Sequence, residues 1–157
     1  MRKTSQKLDR IDLKILRILQ KDGRISNVDL AREVNLSPAP CLARVKKLEK
    51  EGHISGYRAV LDPDKLDLGL LAYVQIVLDR TTPDVFERFK QAVQIIPEIE
   101  ECHMVAGGFD YLIKVRCADM DDYRRILGEK IANLTGVSQT HTYVVMEQVK
   151  CVSELNI

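Results

Sequence analysis

The residues best suited to chemistry lie between Ser37 and Lys50. Ser37-Pro38 reads as a helix start, a capping side chain followed by a residue whose missing N–H costs nothing in a first turn. If Cys41, Leu42, Val45 and Leu48 face a core, then Ala39, Pro40, Ala43, Arg44, Lys47 and Lys50 face outward. Small residues at the leading end let a helix approach base edges, and Arg44 and Lys47 reach a base or a phosphate. The N-cap would add backbone N–H groups for a further phosphate. Arg24, Asn27 and Arg32, just upstream, are placed for more backbone contacts. The same residues would serve equally as the solvated face of an ordinary helical bundle.

Other chemistry-bearing residues do not assemble into a catalytic set. His53, His103 and His141 are far apart, and Cys102-His103 on a strand would point to opposite faces, which disfavours a metal site or a Cys-His nucleophile. Glu100-Glu101 and Asp121-Asp122 read as solvated acidic faces rather than acid/base pairs. No phosphate-binding glycine loop and no GxSxG elbow is present. The expectation is no enzyme, no metal and no cofactor.

The elements that must position these residues divide the chain. Its 157 residues are 45% hydrophobic and 30% charged, with 8 Gly and 5 Pro, a balance that excludes collagen-like, low-complexity and disordered classes. The formal net charge of +1 hides an asymmetry: residues 1–58 carry +7 and residues 59–157 carry −6. A basic module that meets a polyanion, joined to an acidic module with another task, fits that split. The longest apolar tract, residues 68–78, falls short of the roughly 20 residues a membrane span needs. The polar, basic start lacks a secretory h-region, and Cys41, Cys102, Cys117 and Cys151 form no CxxC pair. A cytoplasmic protein with reduced thiols, without membrane contact, is expected.

Residues 1–53 read as three short helices. Asp9 caps the first, with Asp12 three residues on and Leu8 placed to staple against Leu13; Ile11, Ile15, Ile18 and Leu19 recur at helical spacing until Asp22-Gly23. Ser26 caps the second, which carries Leu30 and Val34, and Asn35-Leu36 turns into the third, ended by Gly52. Residues 54–66 form a linker, with β-formers up to Leu61 that suit a wing or a connecting strand. Residues 67–157 read as βαββαβ, the ferredoxin-like order. Strands are expected over 71–79, 99–106, 109–117 and 137 to about 149, with Gly107-Gly108 as a tight turn. Thr82-Pro83 opens one helix, carrying Phe86, Phe89, Val93 and Ile96. Asp119 caps another, with Met120, Tyr123, Leu127, Ile131 and Leu134 toward the core. The fold class is α+β: an N-terminal tri-helical, winged helix-turn-helix domain and a C-terminal ferredoxin-like domain. The sheet face opposite the helices mixes Gln75, His141 and Tyr143 with Val77 and Val145, which suits packing against another subunit.

At the level of motifs, LDRIDLKIL, LQKDGRISNVDLA and LSPAPCLARVKKLEKEGHISGYRAVLDP resemble the DNA-binding half of the leucine-responsive/asparagine-synthesis regulator (Lrp/AsnC) family. PDVFERF, EIEECHMVAGGFDYLIKV, DMDDYRRILGE and TYVVMEQVK resemble its amino-acid-sensing half. The resemblance spans nearly the whole chain. It implies a bacterial, nucleoid-associated transcription regulator that binds double-stranded DNA through the helix opening at Ser37-Pro38. Residues 57–61 would link the domains and pair with their counterpart in a dimer, and dimers would assemble into octameric or larger particles. A small amino acid, leucine or methionine, would bind between dimers near Ala106, Gly107, Gly108, Phe109, Asp110 and Tyr111. Met104, Val105 and Met120, with Thr140, Thr142, Tyr143, Val144 and Val145, would lie around it.

The residues lend that pocket some support of their own. Gly107 and Gly108 expose N–H groups to a carboxylate, Asp110 accepts from an ammonium, and Met104 and Met120 suit an aliphatic side chain. Read without the resemblance, the glycines are a hairpin turn, Asp110 a solvated charge and the methionines core. Gly108 stands where the family commonly carries an acidic residue, which sets methionine against leucine as the effector. The reading is an amino-acid-responsive DNA-binding regulator acting through changes in assembly. The alternative is an amino-acid-binding module that regulates through protein contacts without DNA.

Overall fold

The computed structural model describes residues 8–157, which divide into two compact units. One joins residues 8–60 to the C-terminal segment Lys150–Ile157; the other is Leu61–Val149. The C-terminal segment therefore groups with the helices. Hydrogen bonds explain why: the Gln20 side-chain amide donates to the Leu155 carbonyl at 2.9 Å and accepts the Leu155 N–H at 3.0 Å. Arg17 adds a bond to the carbonyl of Ile157.

In the helical unit, α1 (Arg10–Leu19), α2 (Asn27–Glu33) and α3 (Pro38–Lys50) form where the caps and periodicity place them. Asp9 and Asp12 complete a reciprocal capping box, and Ser26 accepts the Asp29 N–H at 3.1 Å. Ile15, Leu30, Ala31, Val34, Cys41 and Leu48 make the core. Leu42 does not join it: its side chain is 42% exposed, contrary to the expected inward face. Ser37 occupies the N-cap position of α3 in extended backbone, but its hydroxyl makes no capping bond. Residues 55–61 form neither wing nor strand in the single chain. A strand needs a ladder partner for its backbone groups, and among the described residues no backbone hydrogen bond reaches this segment.

The second unit runs β1 (Leu70–Leu78), α4 (Pro83–Val93), β2 (Ile99–Met104), β3 (Tyr111–Cys117), α5 (Met120–Ile126), β4 (Val137–Val144). The antiparallel sheet has the order β2-β3-β1-β4, which completes the expected ferredoxin-like arrangement. Alternation in β1 and β3 sends Ala72, Val74, Ile76, Tyr111, Ile113 and Val115 to the helix side, where they meet Phe89, Val93, Tyr123, Ile126 and Ile131. Fully buried Phe89 lies 4.4 Å from the Tyr111 ring, centroid to centroid. Burying a side chain of that size contributes about 2–3 kcal/mol. A π-helical turn, Leu127–Ile131, extends α5.

Two boundaries move for identifiable reasons. β4 stops at Val144 rather than near Val149, because its ladder partner β1 begins at Leu70. β2 and β3 end at Met104 and begin at Tyr111, so Gly107-Gly108 sits in a longer loop over residues 105–110 and not in a two-residue turn. That loop closes through Val105 N–H to the Asp110 carbonyl, 3.0 Å, and docks on β1 through Asp110 N–H to the Ile76 carbonyl, 2.9 Å.

Candidate nucleic-acid interface and effector site

The turn between α2 and α3 depends on Asn35, which takes the left-handed conformation at φ 56°. The Leu36 N–H then reaches the Ala31 carbonyl at 2.9 Å, and α3 leaves α2 at a corner. Asn27 fastens the two helices at their N-termini by donating from Nδ2 to the Pro38 carbonyl at 2.9 Å. Asn27 is thus a buckle inside the motif, and its side chain is not free to meet a phosphate as expected.

The leading end of α3 is poor in donors. Pro38 and Pro40 have no N–H, and the Cys41 N–H is taken by the Ser37 carbonyl at 3.2 Å, which leaves Ala39 as the one first-turn backbone donor. The expected phosphate cradle at this helix end is therefore reduced to the Ala39 N–H and the uncommitted Ser37 hydroxyl. Ser37, Pro38, Ala39, Pro40, Leu42, Ala43, Lys46, Lys47 and Lys50 are exposed. Leu42 and Lys46 belong to this face although sequence reasoning had not assigned them to it. Hydrophobicity alone places Leu42 in the core; the spacing of Cys41, Val45 and Leu48 is the signal that leaves position 42 at the edge of the inward face. Lys47 lies 3.9 Å from Glu51, a loose exposed pair, and Arg24 is exposed before α2.

Arg44 does not point outward. Its Nη1 lies 2.7 Å from Asp9 Oδ2 and 2.7 Å from Asp12 Oδ1. The backbone N–H of Asp12 first, and the guanidinium second, hold the Asp9 carboxyl below the usual aspartate range. The two carboxylates in turn push the Arg44 pKa up.

In the sheet unit, register sorts the expected effector residues into separate groups. Met104, Tyr111, Ile76 and Thr140 lie in one row across β2, β3, β1 and β4, beside the 105–110 loop. Asp110 closes that corner by accepting the Leu78 N–H at 2.8 Å, so one carboxylate oxygen is already engaged. Met104 is 53% exposed, while Tyr111 is buried against Phe89. Val144 sits opposite Ala72, and the Val145 N–H bonds the Leu71 carbonyl, at the other end of β1. Met120 opens α5 just past the far end of β3 and is 43% exposed, not core. The two ends are separated by the run from Leu71 to Ile76 on β1 and by the run from Tyr111 to Cys117 on β3, so at about 3.3 Å per residue these groups stand roughly 15–20 Å apart. Thr142 lies between them, its Oγ1 within 2.5 Å of the Tyr123 hydroxyl, and Tyr143 faces the opposite side of the sheet. A single amino acid cannot touch both ends within one chain.

A helix-turn-helix with an exposed basic helix, followed by a ferredoxin-like sheet domain, defines a DNA-binding regulator with a sensory domain. Comparison gives the class its family: residues 8–55 match the winged helix-turn-helix DNA-binding domain, and residues 71–155 match the Lrp/AsnC ligand binding domain. The leucine-responsive regulatory protein of Haemophilus influenzae is 57% identical over 149 residues, covering 95% of this chain and 90% of that protein. Its counterpart in Escherichia coli K12 is 59% identical over 143 residues, covering 91% and 87%. A Neisseria meningitidis transcriptional regulator, solved as an L-methionine complex, superposes with a TM-score of 0.91 at 35% identity, covering 95% and 96% of the two chains. The chain belongs to the Lrp/AsnC family. It is a DNA-binding transcription regulator with an amino-acid-binding domain, and not an enzyme.

Proposed function

We propose that α3 is the recognition helix of a homodimer and enters the major groove. Ser37, Pro38, Ala39, Pro40, Leu42 and Ala43 lie at the base edges, and Lys46, Lys47, Lys50 and Arg24 on the backbone. The observation that carries this reading is the exposed stripe on α3, apolar and small at its start and cationic at its end. An exposed leucine suits the methyl group of thymine, and each lysine at a phosphate adds about one unit to the salt dependence of binding.

The effector site, in this reading, is completed by other copies of the chain. Support comes from the separation of its residues within one chain, which leaves a half-site at the 105–110 loop and another at Met120 with Val144 and Val145. The ligand is an aliphatic amino acid. Methionine is favoured by the L-methionine complex of the Neisseria meningitidis relative and leucine by the names of the enterobacterial relatives. The outer sheet face, with Tyr73, Gln75, Val77, Leu112 and Tyr143, forms the dimer contact, and dimers build an octamer or larger particle. The amino acid shifts the balance of assembly states by its difference in affinity for them, typically ~1–3 kcal/mol of coupling. The work is done on the bacterial nucleoid, in the cytoplasm.

Particle mass by analytical ultracentrifugation, with and without L-methionine, L-leucine and a panel of other amino acids, tests the assembly half. A mass that responds to none of them overturns it. Duplex binding between about 50 and 200 mM salt tests the other half: affinity should fall by orders of magnitude.

A further inference from the structure

We infer that Arg44 is a positioning residue that fixes the recognition helix on α1, and not a group that meets DNA. The inference rests on α3 being the helix that enters the groove.

The geometry is a three-way clamp. Asp9 Oδ1 accepts the Asp12 N–H at 2.8 Å, and Asp12 Oδ2 accepts the Asp9 N–H at 3.3 Å. The other oxygen of each carboxylate meets Arg44 Nη1. The box that starts α1 is therefore also the anchor of α3. Asp12 is 6% exposed, the only buried charged residue among the described residues. A buried carboxylate without a partner is costly. Turning Arg44 toward a phosphate would strip Asp12 of its partner and leave two aspartates near a polyanion.

Arg44 also sits where it determines the rotation of α3 about its own axis. It follows buried Cys41 by three positions and precedes buried Leu48 by four, on the inward stripe of the helix. Apolar packing alone is non-directional, whereas a cation held between two fixed carboxylates admits one orientation. That orientation turns Ala39, Leu42, Ala43 and Lys46 outward.

The test uses the full chain and two duplexes: one selected by the wild-type protein from a random 25-base-pair pool, and a scrambled duplex of equal composition. Affinities are corrected for folded fraction by circular dichroism. Arg44→Met should lower the selected-to-scrambled affinity ratio at least tenfold and leave the slope of log affinity against log salt unchanged. Asp12→Asn, with Arg44 intact, should lose the ratio in the same way. Asp9→Asn, which keeps a good N-cap, should lose less of it, and it carries the test if Asp12→Asn does not fold. Arg44→Lys should restore part of the ratio.

A slope reduced by about one unit in Arg44→Met overturns the inference, because that marks a lost phosphate contact. Tighter binding by Asp12→Asn, the mark of an arginine freed for DNA, also overturns it. So does an unchanged ratio in Arg44→Met, which reduces Arg44 to a stabilising group. Lys47→Ala separates this from the reading beneath it: a slope unaffected there means that α3 does not meet the backbone, whatever Arg44 does.

Discussion

The Asp110 carboxylate accepts the backbone N–H of Leu78 at 2.8 Å, tying the loop between β2 and β3 to the last residue of β1. The side chain whose type and place suit an amino acid's ammonium group thus also shapes the loop expected to hold it. Oδ2 orders the corner, and Oδ1 is the oxygen that the proposed site would use.

Those two tasks come apart in a pair of variants. Asp110→Asn keeps a carbonyl oxygen for Leu78 but loses the charge. It should unfold in urea within about 1 kcal/mol of the parent, with L-methionine and L-leucine affinity down at least tenfold. Asp110→Ala should lose about 1.5–3 kcal/mol of stability as well. Undiminished amino-acid affinity in Asp110→Asn, measured by calorimetry, would remove the charge from the site.

Glycines near the sheet ends differ sharply in what they tolerate. Gly136 has φ +86°, and a Cβ there would lie 2.6 Å from Val85 Cγ1. Gly136→Ala should cost about 1–3 kcal/mol through strain and overpacking. A Cβ at Gly107 or Gly108 meets nothing within 4 Å, and neither has positive φ. Gly108→Asp should therefore change stability by no more than about 0.5 kcal/mol, while altering the ratio of leucine to methionine affinity. An unaltered ratio would show that this position does not choose the effector.

Tyr123 is buried under the sheet with its hydroxyl 2.5 Å from Thr142 Oγ1, so a residue expected at the effector site already has a partner. Tyr123→Phe should lower stability by about 0.5–1.5 kcal/mol at fixed protein concentration. No loss in urea unfolding would mean that the bond is exchanged freely for water.

Acid should weaken the helical unit through Asp9. Its pKa is lowered in the folded chain, by the Asp12 N–H and then by Arg44. A depressed carboxylate contributes stability that is present above the unfolded value, near 4, and is lost as pH falls through the lower folded value. Melting temperatures of wild type and Asp9→Asn should run parallel above about pH 5. Below about pH 4 the wild type should fall more steeply; curves still parallel at about pH 2 would contradict the pairing.

Local signals wrote much of this structure into the chain. Asp9 with Asp12, Ser26 with Asp29, Pro83 and Asp119 all open helices where capping chemistry puts them. Alternation over Leu71 to Leu78, the strand patterns on either side of Gly107-Gly108 and after Gly136, and the apolar spacing of Phe89, Val93, Tyr123 and Ile131 together spell out the βαββαβ order. These features depend on residues a few positions apart, which a sequence displays directly.

Which neighbouring position of a helix turns inward is a different matter. At about 100° per residue, Leu42 and Arg44 stand on opposite flanks of the stripe Cys41, Val45 and Leu48, and hydrophobicity alone chooses Leu42. Tertiary structure decided for Arg44, because α1 brings the carboxylates of Asp9 and Asp12 to meet it from more than 30 positions away. The ends of β4 and the loop at Gly107-Gly108 were likewise settled by where β1 offers backbone partners. So was the grouping of Lys150–Ile157 with the helices, through Gln20. Capping and periodicity are properties of the chain itself, but pairing across space exists only once the chain has folded.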